Sequence, residues 1–155
     1  VGNFFEPMYH DDILQNGSIT IKKMNVPLNS CLPVTVSVKT TPPVDLNILY
    51  LPACRVNDTF DSYVLHQVAK KTYLILLQAT VGISHSGGKF SGAVKKVYDE
   101  AVKKHTTVEI WMVYAVPKGS QASFVKKDMH FTTKKLQATV KHSYEVVEAS
   151  FDFNF

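Results

Sequence analysis

The stretch TYLILLQATVGISHSGGKFSGAVKKVYDEAVKKHTTVEIWMVYAV, residues 72–116, passes through three hydrophobic periods in succession. Thr72 to Val81 is apolar on both faces, the pattern of a strand in the middle of a sheet. The period then becomes helical. Phe90, Val94, Val97 and Ala101 recur three or four residues apart with Ala93 and Tyr98 beside them, and Lys96 and Lys103 take the opposite face. Val108 to Val116 returns to β-branched and aromatic residues on both faces. These switches predict an amphipathic helix from about residue 91 to 105, docked on a sheet that contains both flanking strands.

Outward from this centre, alternation dominates. SITIKKM (18–24), PVTVSVKT (33–40) and DLNILYL (45–51) read as strands, the second with Val34, Val36 and Val38 on one face. Tyr63 to Val68 fits a strand or a helix. On the other side, Pro117-Lys118-Gly119-Ser120 is a turn, and residues 122–132 with 136–142 read as a hairpin. In the tail, Val147, Ala149, Phe151, Phe153 and Phe155 share one face, and burial in the chain's own core is the favoured reading of that stripe. Runs of strands on both sides of one helix predict an α+β fold. It is expected to be predominantly antiparallel and sandwich-like, with about eight strands and one main helix, rather than a βαβ array. The chain's 155 residues suit a single β-rich domain over 1–155.

Net charge is +4, unevenly placed: residues 1–88 balance to zero, 89–142 carry +7, and the last thirteen carry −3. Only Arg55 is arginine among seventeen basic residues, so an anion would meet point charges rather than planar forks, and recognition would be blind to base sequence. Six Lys-Lys pairs stand out. Those on the helix have Asp99 and Glu100 nearby for neutralisation. Lys126-Lys127 and Lys134-Lys135, on the predicted hairpin, have little beyond Asp128. With Lys89 they form the candidate anion-binding set, the competing reading being lysines that guard sheet edges.

The glycine-rich loop before the helix invites a nucleotide reading and fails it. A phosphate-binding loop of the G-x-x-x-x-G-K-[ST] type needs its second glycine five residues after the first and a hydroxyl after the lysine. Gly82 and Gly88-Lys89 are one residue too far apart, and Phe90 stands where the metal-binding hydroxyl belongs. Nucleotides are therefore not expected; a helix start beside Lys89 still favours anions. Cys54 with His66, and Ser84-His85-Ser86, supply nucleophile and base types without a local signature. His10-Asp11-Asp12 offers metal donors, yet reads as a solvated N-terminal turn. Neither a catalytic residue, a metal nor a cofactor is assigned.

The start Val1-Gly2-Asn3 has no initiator methionine and no signal-peptide pattern, which reads as a processed or excised chain and leaves the compartment open between virion, extracellular space and others. No apolar run is long enough to span a bilayer. The expected function is a non-enzymatic structural or assembly domain of viral coat or matrix type. It would form a homo-oligomer, and its lysines would contact nucleic acid backbone or anionic lipid. The alternative is a secreted β-sandwich binding module with a Cys31–Cys54 bridge and glycans at Asn16 or Asn57.

Overall fold

The computed structural model describes residues 2–53, 59–82, 88–90, 92–125 and 128–153. Helix α1 (Gly2–Asn16) opens the chain and is followed by strands β1 (Ser18–Ile21), β2 (Met24–Pro27), β3 (Val34–Val36), β4 (Tyr50–Pro52), β5 (Ser62–Val68) and β6 (Lys71–Ala79). Helix α2 (Ala93–Lys104) leads to β7 (Val108–Val116), a short helix α3 (Lys134–Thr139) and β8 (His142–Glu148). The fold is α+β. Strands β1 and β2 form a hairpin of their own, and the other six form one mixed sheet in the order β3-β4-β5-β6-β7-β8.

Helix α2 joins two neighbouring strands that run parallel, Thr72 opposite Val108 through Ala79 opposite Ala115, so residues 71–116 are a βαβ crossover. A second crossover returns the chain from β7 to β8, again parallel. The expected predominance of antiparallel pairing is thereby corrected: β4-β5-β6 is an antiparallel meander, while β3-β4, β6-β7 and β7-β8 are parallel. Parallel neighbours need a long connection that crosses a sheet face, and both connections here supply buried apolar residues to that face. The sandwich is corrected too, since a six-stranded mixed sheet, covered by α2 on one face and by α1 with the β1–β2 hairpin on the other, replaces two stacked sheets of similar size.

Each face of the sheet holds its own core. On one side, Val94, Val97 and Ala101 of α2 and Phe90 before it pack with Leu74, Leu76, Ile110, Met112 and Tyr114. On the other, Phe5, Tyr9, Ile13 and Leu14 of α1, with Ile19, Ile21 and Val26 of the hairpin, cover Val64, Ile75, Leu77, Val113 and Ala115. Alternation along β6 therefore feeds both cores, which is why its sequence is apolar throughout. Full burial of each large apolar side chain contributes about 1.5–3 kcal/mol before ordering costs.

The expectation of one main helix is corrected as well, since α1, at 15 residues, is longer than α2, at 12. Other expectations shift in detail. The predicted strand 18–24 bends at Lys22 (φ 53°) into the β1–β2 hairpin. Strand 33–40 shortens to β3, where Val34 is exposed and Val36 buried. The strand at 45–51 shrinks to β4 at its end, preceded by a lone bridge from Leu46 to Leu65. The ambiguous Tyr63–Val68 is strand β5. The hairpin at 122–142 is replaced by a 3₁₀ turn at Gln121–Ser123 and by α3, whose start Thr133 caps by accepting from the Leu136 N–H at 3.1 Å. In the tail, β8 ends at Glu148, and Phe151 and Phe153 fold back against Phe5 at 5.9 and 5.2 Å between ring centres. Those two rings serve the chain's own core; Phe155 lies outside the described residues.

Candidate functional site

The carboxyl ends of the parallel strands are where α/β sheets usually hold ligands, because a helix start and loop backbone converge there. In this chain that position is the β6–α2 connection. Gly88 and Lys89 lie in it, while Ser84-His85-Ser86 fall outside the described residues. The backbone of Lys89 bridges His130 in parallel fashion. The Phe90 N–H donates to the His130 carbonyl at 2.9 Å, the His130 N–H donates to the Gly88 carbonyl at 2.6 Å, and the Lys89 N–H faces Thr59 Oγ1 at 3.3 Å. These amides would have to point inward to cradle a phosphate, and they are already committed. Glycine at 88 has a packing reason instead, since a Cβ there would lie 2.3 Å from Thr59 Cγ2.

Beneath the loop, Tyr114 is fully buried, and burial, helped by the Asp128 carboxylate, pushes its pKa up to about 12. The hydroxyl therefore stays protonated at neutral pH. His66 Nδ1 accepts from Asn47 Nδ2 at 2.9 Å, and its expected partner Cys54 lies outside the described residues. The secreted alternative finds Cys31 as a free, exposed thiol. Asn16 is the exposed last residue of α1, and Asn57 lies outside the described residues. Among the described residues, no three His, Cys, Asp or Glu side chains converge to hold a metal. The His10-Asp11-Asp12 triplet is not a solvated turn: it lies on α1, where His10 is buried and its Nε2 is 2.8 Å from Ser62 Oγ.

The lysines differ in their partners, and Lys23, Lys39, Lys70 and Lys118 are exposed without an ion pair among the described residues. On α2, Lys95 pairs with Asp99 at 2.6 Å, Lys103 with Glu100 at 2.9 Å and Lys104 with Asp45, while Lys96 Nζ donates to the Lys39 carbonyl at 2.9 Å. On the opposite face of the sheet, Lys22 meets Glu145 at 3.1 Å and lies over the Trp111 ring, and Lys71 meets Glu109 at 3.3 Å. The crossover from β7 to β8 differs. Lys134 and Lys135 are exposed on the first turn of α3, Lys141 follows it, and none of the three has an ion pair among the described residues. Asp128, the acid expected to compensate them, is turned to His142 at 3.3 Å. The Lys89–His130 bridge sets exposed Lys89 beside the same segment. Lys126 and Lys127 lie outside the described residues.

Of the candidate set, Lys134 and Lys135 thus stand on a helix rather than on the expected strand, with Lys89 alongside the same crossover. Lys141 belongs with them, and it leaves little signal in the sequence because it stands alone rather than in a pair. Comparison with family models, with curated proteins and with solved structures finds no match, so geometry carries the functional reading.

Proposed function

We propose that the chain is a non-enzymatic assembly domain that contacts a nucleic acid backbone through the β7–β8 crossover, using Lys134, Lys135 and Lys141 with Lys89 alongside, and Lys126 and Lys127 on the same segment. One observation carries this reading: the crossover lysines at 134, 135 and 141 are exposed without acidic partners among the described residues, whereas three of the α2 lysines are paired. An ammonium already paired loses that pairing when it meets a phosphate; an unpaired one exchanges only water and counterions. Contacts through lysine alone position a polymer without reading its bases.

The test is fluorescence anisotropy with labelled oligo-uridine RNA across a salt series. Four neutralised phosphates give a log–log slope of roughly −3. Alanine at Lys134, Lys135 and Lys141 together weakens binding and flattens the slope, while alanine at Lys95, Lys103 and Lys104 changes little. Binding that survives the crossover substitutions, or no binding at low salt, overturns the proposal. Binding to anionic vesicles in place of RNA overturns the nucleic acid assignment and names a lipid surface.

A further inference from the structure

On the side of the sheet away from α2, a cavity of about 300 Å³ opens where the second half of α1, strand β1 and the end of β8 meet. Two carboxylates, Asp12 and Glu148, stand in its lining, and among the described residues no Lys, Arg or His does, in a chain of net charge +4. A recess of one sign concentrates ions of the other. Helix α1 also ends here at Asn16, which adds the negative end of its dipole.

The two acids keep acceptor capacity. Asp12 receives the Ser150 hydroxyl, 2.6 and 2.7 Å from its two oxygens, and the Ser150 N–H at 3.4 Å, which uses two protons against about four acceptor positions on a carboxylate. Glu148 Oε2 accepts the Gln121 N–H at 2.9 Å, and its other oxygen has no partner among the described residues.

A second feature points independently to a ligand. Tyr9 is only 2% exposed and lines the cavity, and its ring touches Phe5 and His10. Its hydroxyl makes no hydrogen bond among the described residues, yet it is not one of the fully enclosed unpaired oxygens, so its small residual exposure opens into the recess. Buried hydroxyls in proteins normally find a partner. Burial and the nearby Asp12 charge both raise the Tyr9 pKa, so the group remains a neutral phenol with a free oxygen lone pair and a free proton.

We propose that this cavity binds a small organic amine with a short apolar body. The ammonium group is taken by the Asp12 and Glu148 carboxylates and the Tyr9 hydroxyl oxygen, and the apolar part rests on Ile13 and Val147. The site is independent of the lysine surface, which lies on the crossover connection and attracts the opposite charge.

Calorimetry on the full chain with benzylamine tests it, with benzyl alcohol as the neutral isostere and benzoate as the anion. Benzylamine binds and the two controls do not. Tyr9→Phe and Glu148→Gln each weaken binding roughly tenfold, the scale of one charge-assisted hydrogen bond. Both variants stay folded: the side-chain amide introduced by Glu148→Gln still offers a carbonyl oxygen to the Gln121 N–H, and Tyr9→Phe removes an unpaired hydroxyl, so its melting temperature without amine is unchanged or raised. Absence of benzylamine binding at millimolar concentration, equal binding of benzyl alcohol, or unchanged affinity in both variants overturns the proposal.

Discussion

Asn47 holds a left-handed backbone (φ 62°) in which its side-chain amide donates to the Pro27 carbonyl and to His66 Nδ1, both at 2.9 Å. A carbonyl can only accept, so the Pro27 contact orients the amide and requires His66 Nδ1 to be an unprotonated acceptor. Burial lowers the His66 pKa in the same direction. In the unfolded chain this imidazole takes up its proton near pH 6.5; in the folded chain it does so only at lower pH. Below the unfolded value the unfolded state holds more protons, so the His66 contribution is complete above that pH and is lost as pH falls toward the folded pKa. Melting temperature measured from pH 7.5 to 5 is expected to fall less steeply in His66→Gln, which keeps an acceptor for Asn47 but cannot titrate. Equal slopes would remove His66 from the acid sensitivity of the fold.

Among the elements, α2 is legible in the sequence because its apolar stripe is narrow and its outer face is charged. Val97 is fully buried at the middle of that stripe. Val97→Asp places a carboxylate among Leu74, Leu76 and Met112, in a core cluster that holds no cation among the described residues, and is expected to destabilise by several kcal/mol, on the order of 3–5. Urea denaturation followed by circular dichroism checks this; a midpoint equal to wild type would place the stripe outside the core. Helix α1 is hidden for a physical reason. Phe5, Tyr9 and Ile13 recur at helical spacing and are buried, but Phe4 and Met8 are 69% and 43% exposed on the outer face ahead of Asp11 and Gln15, so the polar side that would contrast with the buried stripe is interrupted. Pro7 lies inside the helix and reads as a breaker, since it removes one N–H and crowds the preceding turn. Helix α3 is hidden by its shortness: six residues give less than two turns, too few for a helical period to stand out from an alternating one.

At the scale of the whole molecule, β5, β6 and β7 each give buried residues to both cores, and β6 and β7 do so over the greater length. Amide exchange is therefore expected to be slowest at Leu74–Leu77 and Ile110–Val116, with the β1–β2 hairpin and α3, which buries no residue of its own, exchanging through smaller openings. Comparable protection across all these segments would mean that the hairpin and the crossover unfold only with the sheet. Composition and periodicity were enough to establish the α+β class, the helix of residues 93–104 and the two doubly covered strands, because burial on both faces and burial on one stripe leave different marks on neighbouring residues. Strand direction leaves no such mark: parallel and antiparallel neighbours bury the same side chains, so the βαβ crossover became visible only when residues 72 and 108 were seen side by side. The candidate sites divide in the same way. Lysine pairs can be counted along the chain, but which of them keep a free ammonium group depends on acids brought near by folding, as Asp45 is to Lys104 and Asp128 is to His142 rather than to a lysine. The cavity under Tyr9 gathers residues from the first twenty and the last ten of the chain. Such a recess is a property of packing in space, and local periodicity carries no record of contacts between segments so far apart.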